Sequence, residues 1–305
     1  MFNAFKLYLS LLSLTFVVGP SYAIIGGEVT NDYKNVVTIK GITLCGGTII
    51  NPYLILTAAH CTHDGRVELN ISTKETKKTY KVKKVIPHPT AKFHPSQSTL
   101  LKGEDISIIV LDSPIEIPVD AIIPLSSKKD VRLKDNYPIK VIGAGVDESG
   151  WPSGVFKSTT TTVSKIPRWK CGGNEKNSFS TKYVARTGDS GGPAYAFTPS
   201  GKEVQVGVIS REIIFDYMNE YLPQEQQKPS ECENKSIYSD VSAHLPWIKE
   251  VTGYEPGIDQ AELTKKVISK FEINEVQAEC YIPNDQSPEV NQLIELSEKI
   301  SRPKE

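Results

Sequence analysis

Short apolar runs, separated by glycine, proline and polar residues, dominate the first 250 positions of the chain. The run from Ile106 to Leu111 is almost wholly apolar, and β-branched residues recur in it. Runs of this length, bounded by turn residues, are typical of buried strands rather than of long helices. The pattern predicts an all-β fold of many short strands. Two acids, Glu104 and Asp105, stand where this run begins.

Helical spacing appears near the C-terminus. Asp259 can cap a helix that carries Leu263, Val267 and Phe271 at i, i+4 and i+8. A second helix can begin at 287–288. Its apolar residues are Val290, Leu293, Ile294 and Ile300. We expect this extension, 255–305, to pack against the rest of the protein; the alternative is a tail that docks a partner.

The first residues have the pattern of a secretory signal peptide. Lys6 precedes a mostly apolar run, Leu7–Val18, that is too short to span a bilayer comfortably. Small residues, Ser21 and Ala23, then stand at the −3 and −1 positions of a cleavage site. We predict cleavage after Ala23, no membrane span in the mature protein, and secretion: extracellular, or periplasmic in a Gram-negative host.

Composition narrows the function only a little. The formal net charge is −1, so nothing suggests a nucleic-acid partner or an anionic membrane surface. Five cysteines are present, and their odd number leaves at least one free or paired with another molecule. An exported protein keeps its disulfides.

The residues 188–193 read Gly-Asp-Ser-Gly-Gly-Pro, and they carry the strongest chemical signal. Glycines leave the backbone free to bend close to a substrate around Ser190. An exposed hydroxyl with backbone N–H groups nearby is what a nucleophilic serine requires. Asp-Ser-Gly alone is also compatible with an ordinary turn, so the rest of the chain must supply partners.

Two such partners precede it. His60 is followed by Cys61, which can bridge back to Cys45 and so pin the histidine backbone; closing that loop is worth about 3 kcal/mol. Asp105 is either a solvated strand end or a carboxylate that orients an imidazole. His63 lies three residues after His60, but a third ligand is not clustered with them, so we predict no metal site.

Together these segments resemble the trypsin/chymotrypsin family of serine endopeptidases. The matching segments, in the order of that family, are Ile24-Ile25-Gly26-Gly27, Cys45-Gly46-Gly47, Thr57-Ala58-Ala59-His60-Cys61, Asp105-Ile106, Gly143-Ala144-Gly145, the hexapeptide, and Trp247-Ile248. The resemblance implies two six-stranded antiparallel Greek-key β-barrels with the active site between them. It also implies a C-terminal helix near 244–252.

The resemblance also implies roles for individual residues. Ser190 is the nucleophile, His60 the general base and then acid, and Asp105 the residue that orients His60. The N–H groups of Gly188 and Ser190 form the oxyanion hole. Ser210 contacts the buried aspartate and lines the specificity pocket. Peptide bonds in protein or peptide substrates are cleaved through an acyl-enzyme, and no cofactor is needed.

Activation in this family uses a freed N-terminal ammonium. Here the resemblance assigns the amine to Ile24 and its carboxylate partner to Asp189. Signal cleavage after Ala23 would itself expose Ile24, so we expect an enzyme that is active on export, with no separate propeptide.

Several positions depart from the family pattern. Val184 occupies the position of the basic-selective aspartate of trypsin, followed by Ala185. We therefore expect no Arg/Lys preference but a neutral, small or medium apolar P1 residue. Glu212 and Ser236 also fall at the pocket; Glu212 can narrow it or contact a basic group. The resemblance pairs Cys45 with Cys61. It leaves Cys171–Cys232 and Cys232–Cys280 as alternatives.

The predicted organisation is therefore a signal peptide at 1–23, a protease domain at 24–254 and the extension. Within the protease domain, the two barrels are expected at about 24–125 and 126–245. We expect a monomer. The competing interpretation is a protease-like protein that has lost catalysis and serves as a binding, adhesion or regulatory protein. An esterase with little peptidase activity is a third.

Overall fold

The computed structural model describes residues 24–41, 44–62, 70–73, 78–93, 100–146, 154–164, 177–213 and 234–273. The predicted signal peptide, the second helix of the extension, His63 and the cysteines other than Cys45 and Cys61 lie outside these ranges. None of the helices within them is long and apolar enough to cross a membrane.

The first half of the chain builds one six-stranded antiparallel sheet. The strands up to residue 111 are β1 (Glu28–Val29), β2 (Val36–Lys40), β3 (Leu44–Asn51), β4 (Leu54–Thr57), β5 (Asn70–Thr73), β6 (Val82–Pro87), β7 (Lys92–Phe93), β8 (Leu100–Lys102) and β9 (Ser107–Leu111). The sheet order is β5-β2-β3-β4-β9-β6, while β7 and β8 pair only with each other. Strand β9, the apolar run of the sequence, is buried along its whole length between β4 and β6.

The second half closes into a barrel. Its strands are β10 (Pro138–Gly143), β11 (Lys157–Ser164), β12 (Ser178–Lys182), β13 (Pro193–Phe197), β14 (Glu203–Ile213) and β15 (Lys235–Asp240). They follow the order β11-β10-β13-β14-β15-β12, and β12 pairs back with β11, which closes the ring. The predicted all-β fold is confirmed.

The first strand belongs to the second half of the protein. β1 pairs with the outer edge of β11, with Glu28 opposite Ser158. Ile24 is fully buried in the apolar cluster of the second barrel, together with Val141 and Val184. The N-terminal segment therefore crosses to the second barrel, although sequence order alone suggested that residues from 24 onward belong to the first.

The two halves meet at glycines. A Cβ atom on Gly46 in β3 would lie 2.9 Å from the Cα of Gly192, so a larger residue would push the halves apart. The N–H of Gly46 donates to the carbonyl of Ser190 at 2.6 Å. This contact holds the hexapeptide against the first sheet.

Two helices complete the described chain. Helix α1 (Val241–Thr252) begins three residues before the predicted start, because the carboxylate of Asp240 caps it by accepting from the N–H of Ser242. Helix α2 (Gln260–Phe271) is capped by Asp259, as predicted. Its buried residues, Leu263, Val267 and Phe271, join the apolar core of the first sheet.

Candidate active site

A disulfide fixes the backbone of His60. Cys45 in β3 and Cys61 are joined, with their Cα atoms 6.1 Å apart. His60 lies in the short 3-10 turn Ala59–Cys61 that follows β4. The bridge ties this turn to a central strand, so the imidazole projects from a backbone that has little freedom to move.

His60 and Asp105 make a two-point contact. The ring Nδ1 of His60 lies 2.8 Å from Oδ2 of Asp105, and because a carboxylate only accepts, Nδ1 carries the proton. The backbone N–H of His60 donates to Oδ1 at 2.9 Å. Asp105 is 1% exposed, so this pair is shielded from water on the carboxylate side.

Two serines of the second barrel donate hydrogen bonds to Asp105. The Ser210 hydroxyl donates to Oδ2 of Asp105 at 2.6 Å, and the Ser239 hydroxyl donates to its backbone carbonyl at 2.7 Å. Ser210 can do so because β14 bulges there: Ile209 pairs with Tyr238 and Arg211 with Ile237, which leaves Ser210 outside the ladder. Bulges commonly re-aim one side chain at active sites.

The electrostatics of the pair follow from burial and mutual attraction. Burial by itself raises the pKa of Asp105, but the His60 charge and the donated hydrogen bonds outweigh it and hold that pKa below its usual value. Burial likewise opposes the cation of His60, yet Asp105 raises the pKa of His60 overall. Arg211 works against that rise. The ring is a base strengthened by its carboxylate.

Ser190 lies in a turn that only glycines can support. Gly188 has φ +91° and Gly191 has φ +83°, both in the left-handed region. A Cβ on Gly191 would collide with Thr57 of the first sheet. The Ser190 carbonyl lies 3.6 Å from the sulfur of Cys61, and that sulfur lies 3.7 Å from Nε2 of His60. In the described chain the Ser190 hydroxyl and the ring share no hydrogen bond, and such bonds often shorten only when substrate binds.

Asp189 is buried completely, and within the described part of the chain it accepts hydrogen bonds from backbone N–H groups alone. The N–H of Gly145 donates to Oδ1 at 2.8 Å, and that of Arg186 to Oδ2 at 2.9 Å. Burial raises the pKa of Asp189 to about 8, despite these donors. Ile24 lies in the cluster that contains Val184, and the N–H of Ile25 donates to the Val184 carbonyl. Within the described residues Asp189 forms no ion pair, and the Ile24 nitrogen of the intact chain is an uncharged amide.

The predicted pocket residues also come together. Ser236 accepts from the N–H groups of Val184 and Ala185, both at 3.0 Å, so its hydroxyl supports the backbone of the predicted pocket wall. Glu212 accepts from the hydroxyl of Tyr183 at 2.9 Å. Tyr183 is therefore a further residue at this site. Sequence reasoning missed it, because no local pattern pairs it with Glu212.

The ligand atoms of Cys45, His60 and Cys61 lie within 4.8 Å of one another. Both sulfurs belong to the disulfide, however, and a metal requires thiolates. This group therefore does not suit a metal ion. The histidine suits a different chemistry: an imidazole whose Nδ1 is bound to a buried carboxylate can act as a base through its other ring nitrogen.

Comparison with known proteins agrees with this chemistry. The family model described as Trypsin matches residues 24–248. A trypsin of Saccharopolyspora erythraea is 26% identical over 189 residues, which cover 56% of this chain and 80% of that protein. The snake venom serine protease pallabin of Gloydius halys is 26% identical over 259 residues, 80% of this chain and 92% of its own.

A third relative matches a shorter stretch. The alpha- and beta-fibrinogenase OhS1 of Ophiophagus hannah is 29% identical over 164 residues, 52% of this chain. The aligned part covers 58% of that fibrinogenase, less than two thirds of its length.

Proposed function

The chain belongs to the trypsin family, and on that premise we propose that it is an exported serine endopeptidase with His60, Asp105 and Ser190 as its catalytic triad. The observation that carries the proposal is the set of hydrogen bonds around Asp105. The buried carboxylate of Asp105 accepts hydrogen bonds from Nδ1 of His60 and from the Ser210 hydroxyl. This geometry suits the acid that orients the histidine of a triad.

In this mechanism His60 removes the proton of the Ser190 hydroxyl as the oxygen attacks the carbonyl carbon of the substrate. Asp105 stabilises the imidazolium that forms and keeps its proton on Nδ1. The N–H groups of Gly188 and Ser190 receive the developing oxyanion. His60 then protonates the leaving amine, and water releases the acyl group from Ser190 by the same steps in reverse.

For substrate choice, we infer a neutral P1 residue of small or medium size. Val184 and Ala185 are buried and apolar, and neither supplies a charge for Arg or Lys. Glu212 is the one acid among the predicted pocket residues, and the Tyr183 hydroxyl already occupies one of its oxygens. Ser210 and Ser236 are engaged with Asp105 and with backbone N–H groups. Cleavage-site profiling on a peptide library tests this inference; a dominant Arg or Lys at P1 would contradict it.

For activation, we propose that cleavage before Ile24 creates an ammonium that pairs with Asp189. The carboxylate of Asp189 accepts from the N–H of Arg186, which follows Ala185 of the apolar cluster that holds Ile24, and burial raises its pKa. N-terminal sequencing of the active exported protein should give Ile24 first. A start upstream of Ile24 in the active form would rule out this proposal.

The remaining proposals concern organisation. We place the protease domain at 24–254 and assign α2 to the extension that follows it. We propose a secreted monomer that acts on protein or peptide substrates.

The decisive experiment is labelling with a phosphonylating reagent for active-site serines. We expect one adduct, on the peptide that contains Ser190, and none in Ser190→Ala. That substitution should also lower kcat by roughly a millionfold. A folded protein that takes up no reagent at Ser190 would instead favour the binding-protein interpretation.

A further inference from the structure

Two buried hydroxyl groups join the turn of His60 to the strand that follows Asp105. Thr62 comes two residues after His60, and Ser107 comes two residues after Asp105. The Thr62 hydroxyl donates to Oγ of Ser107 at 2.9 Å, and the two residues are 4% and 0% exposed. We propose that Thr62 and Ser107 form a positioning pair, which holds the imidazole of His60 against its carboxylate partner.

The first restraint acts on the peptide unit between Ala59 and His60. The carbonyl oxygen of this unit accepts from the hydroxyl and from the backbone N–H of Thr62, at 3.1 and 3.0 Å. The N–H of the same unit donates to Oδ1 of Asp105 at 2.9 Å. Hydrogen bonds in a chain polarise one another, so the donors on the carbonyl strengthen the N–H as a donor to the acid. Thr62 therefore fixes the peptide that contacts Asp105.

The second restraint ties the turn to the strand of the acid. Ser107 is the first residue of β9, and its hydroxyl donates to the Ile86 carbonyl in β6 at 3.2 Å. Since Thr62 donates to this same hydroxyl oxygen, the turn is fixed to β9. The contacts close a ring that runs from Asp105 through the Ala59–His60 peptide, Thr62 and Ser107 back to Asp105.

The disulfide does not supply the same restraint. It joins Cys61 to Cys45 in β3, and β4 separates β3 from β9 in the sheet. The ladder between β4 and β9 ends at the pair of Thr57 with Ser107, before the turn begins. The hydroxyl contact of Thr62 continues this connection beyond the end of the ladder. The distance from the imidazole to the carboxylate depends on the position of the turn relative to β9, and this is the position that the hydroxyl pair fixes.

The inference rests on the proposed function for its catalytic meaning, but its test is spectroscopic. The measurement is the NMR signal of the proton on Nδ1 of His60 in the Ser190→Ala chain, recorded where the ring is fully protonated. His60→Gln removes this signal and so identifies it. Thr62→Val keeps the shape of the side chain and removes the hydroxyl, so the hydrogen bond from Nδ1 to Asp105 should lengthen. The signal should move to higher field, and its proton should exchange with water about 5–30-fold faster. Thr62→Ser, which keeps the hydroxyl, should retain the original signal.

Ser107→Ala tests the other member of the pair. It leaves the bond from Thr62 to Ala59 in place, so we expect a smaller shift in the same direction. Because the two residues share one hydrogen bond, the double variant should shift the signal by less than the sum of the single effects. Thr252→Val is the matched control, since it removes a buried hydroxyl that donates to the Ile248 carbonyl in α1 at 2.6 Å. It should lower the melting temperature and leave the Nδ1 signal unchanged.

Three results would overturn the positioning pair. They are an Nδ1 signal that is unchanged in Thr62→Val, effects of the two single variants that simply add, and an equal shift in Thr252→Val. If Thr62→Val does not fold, Ser107→Ala decides by itself: a shift supports the pair, and an unchanged signal removes it.

Activity is measured in parallel on chains that retain Ser190. Thr62→Val should lower kcat by about 5–30-fold and leave KM within about twofold, because the pair acts on the base and not on the substrate. Phosphonylation separates the two proposals. Labelling at Ser190 without the NMR shift leaves the proposed function intact and removes the pair. The shift without labelling leaves the pair intact and removes the proposed function.

Discussion

The buried carboxylate of Asp189 predicts that the protein is less stable before its N-terminus is freed than after. In the intact chain the pKa of this group is about 8, against about 3.9 in an unfolded chain. Between pH 4 and pH 8 the folded state therefore keeps a proton on Asp189 that the unfolded state has already released. Stability from this group is complete below about pH 4 and is lost as the pH rises toward 8.

The magnitude follows from that difference. Four pKa units, at about 1.4 kcal/mol each, set an upper limit of about 5–6 kcal/mol on the loss between pH 4 and pH 8. Relaxation and water entry reduce it, so we expect about 2–4 kcal/mol. In a chain that begins at Ile24, the ammonium compensates the carboxylate, and this loss should disappear.

The assay compares two Ser190→Ala chains, one that begins at Ile24 and one that retains Ser21-Tyr22-Ala23. Urea unfolding at intervals from pH 5 to pH 8 gives both free energies of unfolding. The gap between the chains should widen as the pH rises, and Asp189→Asn should abolish the pH dependence of the gap. Parallel curves, or a widening gap that survives in Asp189→Asn, would refute the reasoning.

Three further predictions concern the site and the extension. Asp105→Asn should lower kcat by roughly 10⁴-fold with little change in KM, measured on a cleaved peptide, because the His60 tautomer is no longer held; a loss under tenfold would contradict the assigned role. Ser210→Ala should cost about 1.5–3 kcal/mol of unfolding free energy at neutral pH. Because the folded pKa of Asp105 is depressed, this cost should shrink as the pH falls through that pKa, and a pH-independent cost would count against it. Val267→Ala should cost about 2–4 kcal/mol in urea unfolding, since its side chain is fully buried, whereas the exposed control Lys266→Ala should stay within about 0.5 kcal/mol; equal costs would mean that α2 does not contribute to the core.

Local pattern was enough for much of the fold. The apolar run at β9 and the spacing of Leu263, Val267 and Phe271 each depend on neighbours in the sequence, and periodicity records such neighbours directly. The hexapeptide likewise predicted a turn that requires glycine. Gly188 and Gly191 have the positive φ angles of such a turn.

The local sequence pattern could not predict contacts between residues that are far apart in the chain. Two examples are the pairing of β1 with β11 and the hydrogen bond from Tyr183 to Glu212. In each case the residues around one partner contain no signal that identifies the other. The bulge at Ser210 depends on the register of two strands, which the alternation of a single strand does not specify.

The sequence by itself determined which residues could carry the chemistry: a serine among glycines, a histidine beside a bridging cysteine, and an acid at the start of a buried strand. The resemblance implied that Ser210 contacts Asp105, but only the tertiary structure decided the bulge in β14 at Ser210 and the contact between Glu104 and His244. The physical reason is that burial and charge pairing arise between distant segments. The contact between Glu104 and His244, and the burial that raises the pKa of Asp189, exist only once the chain has folded.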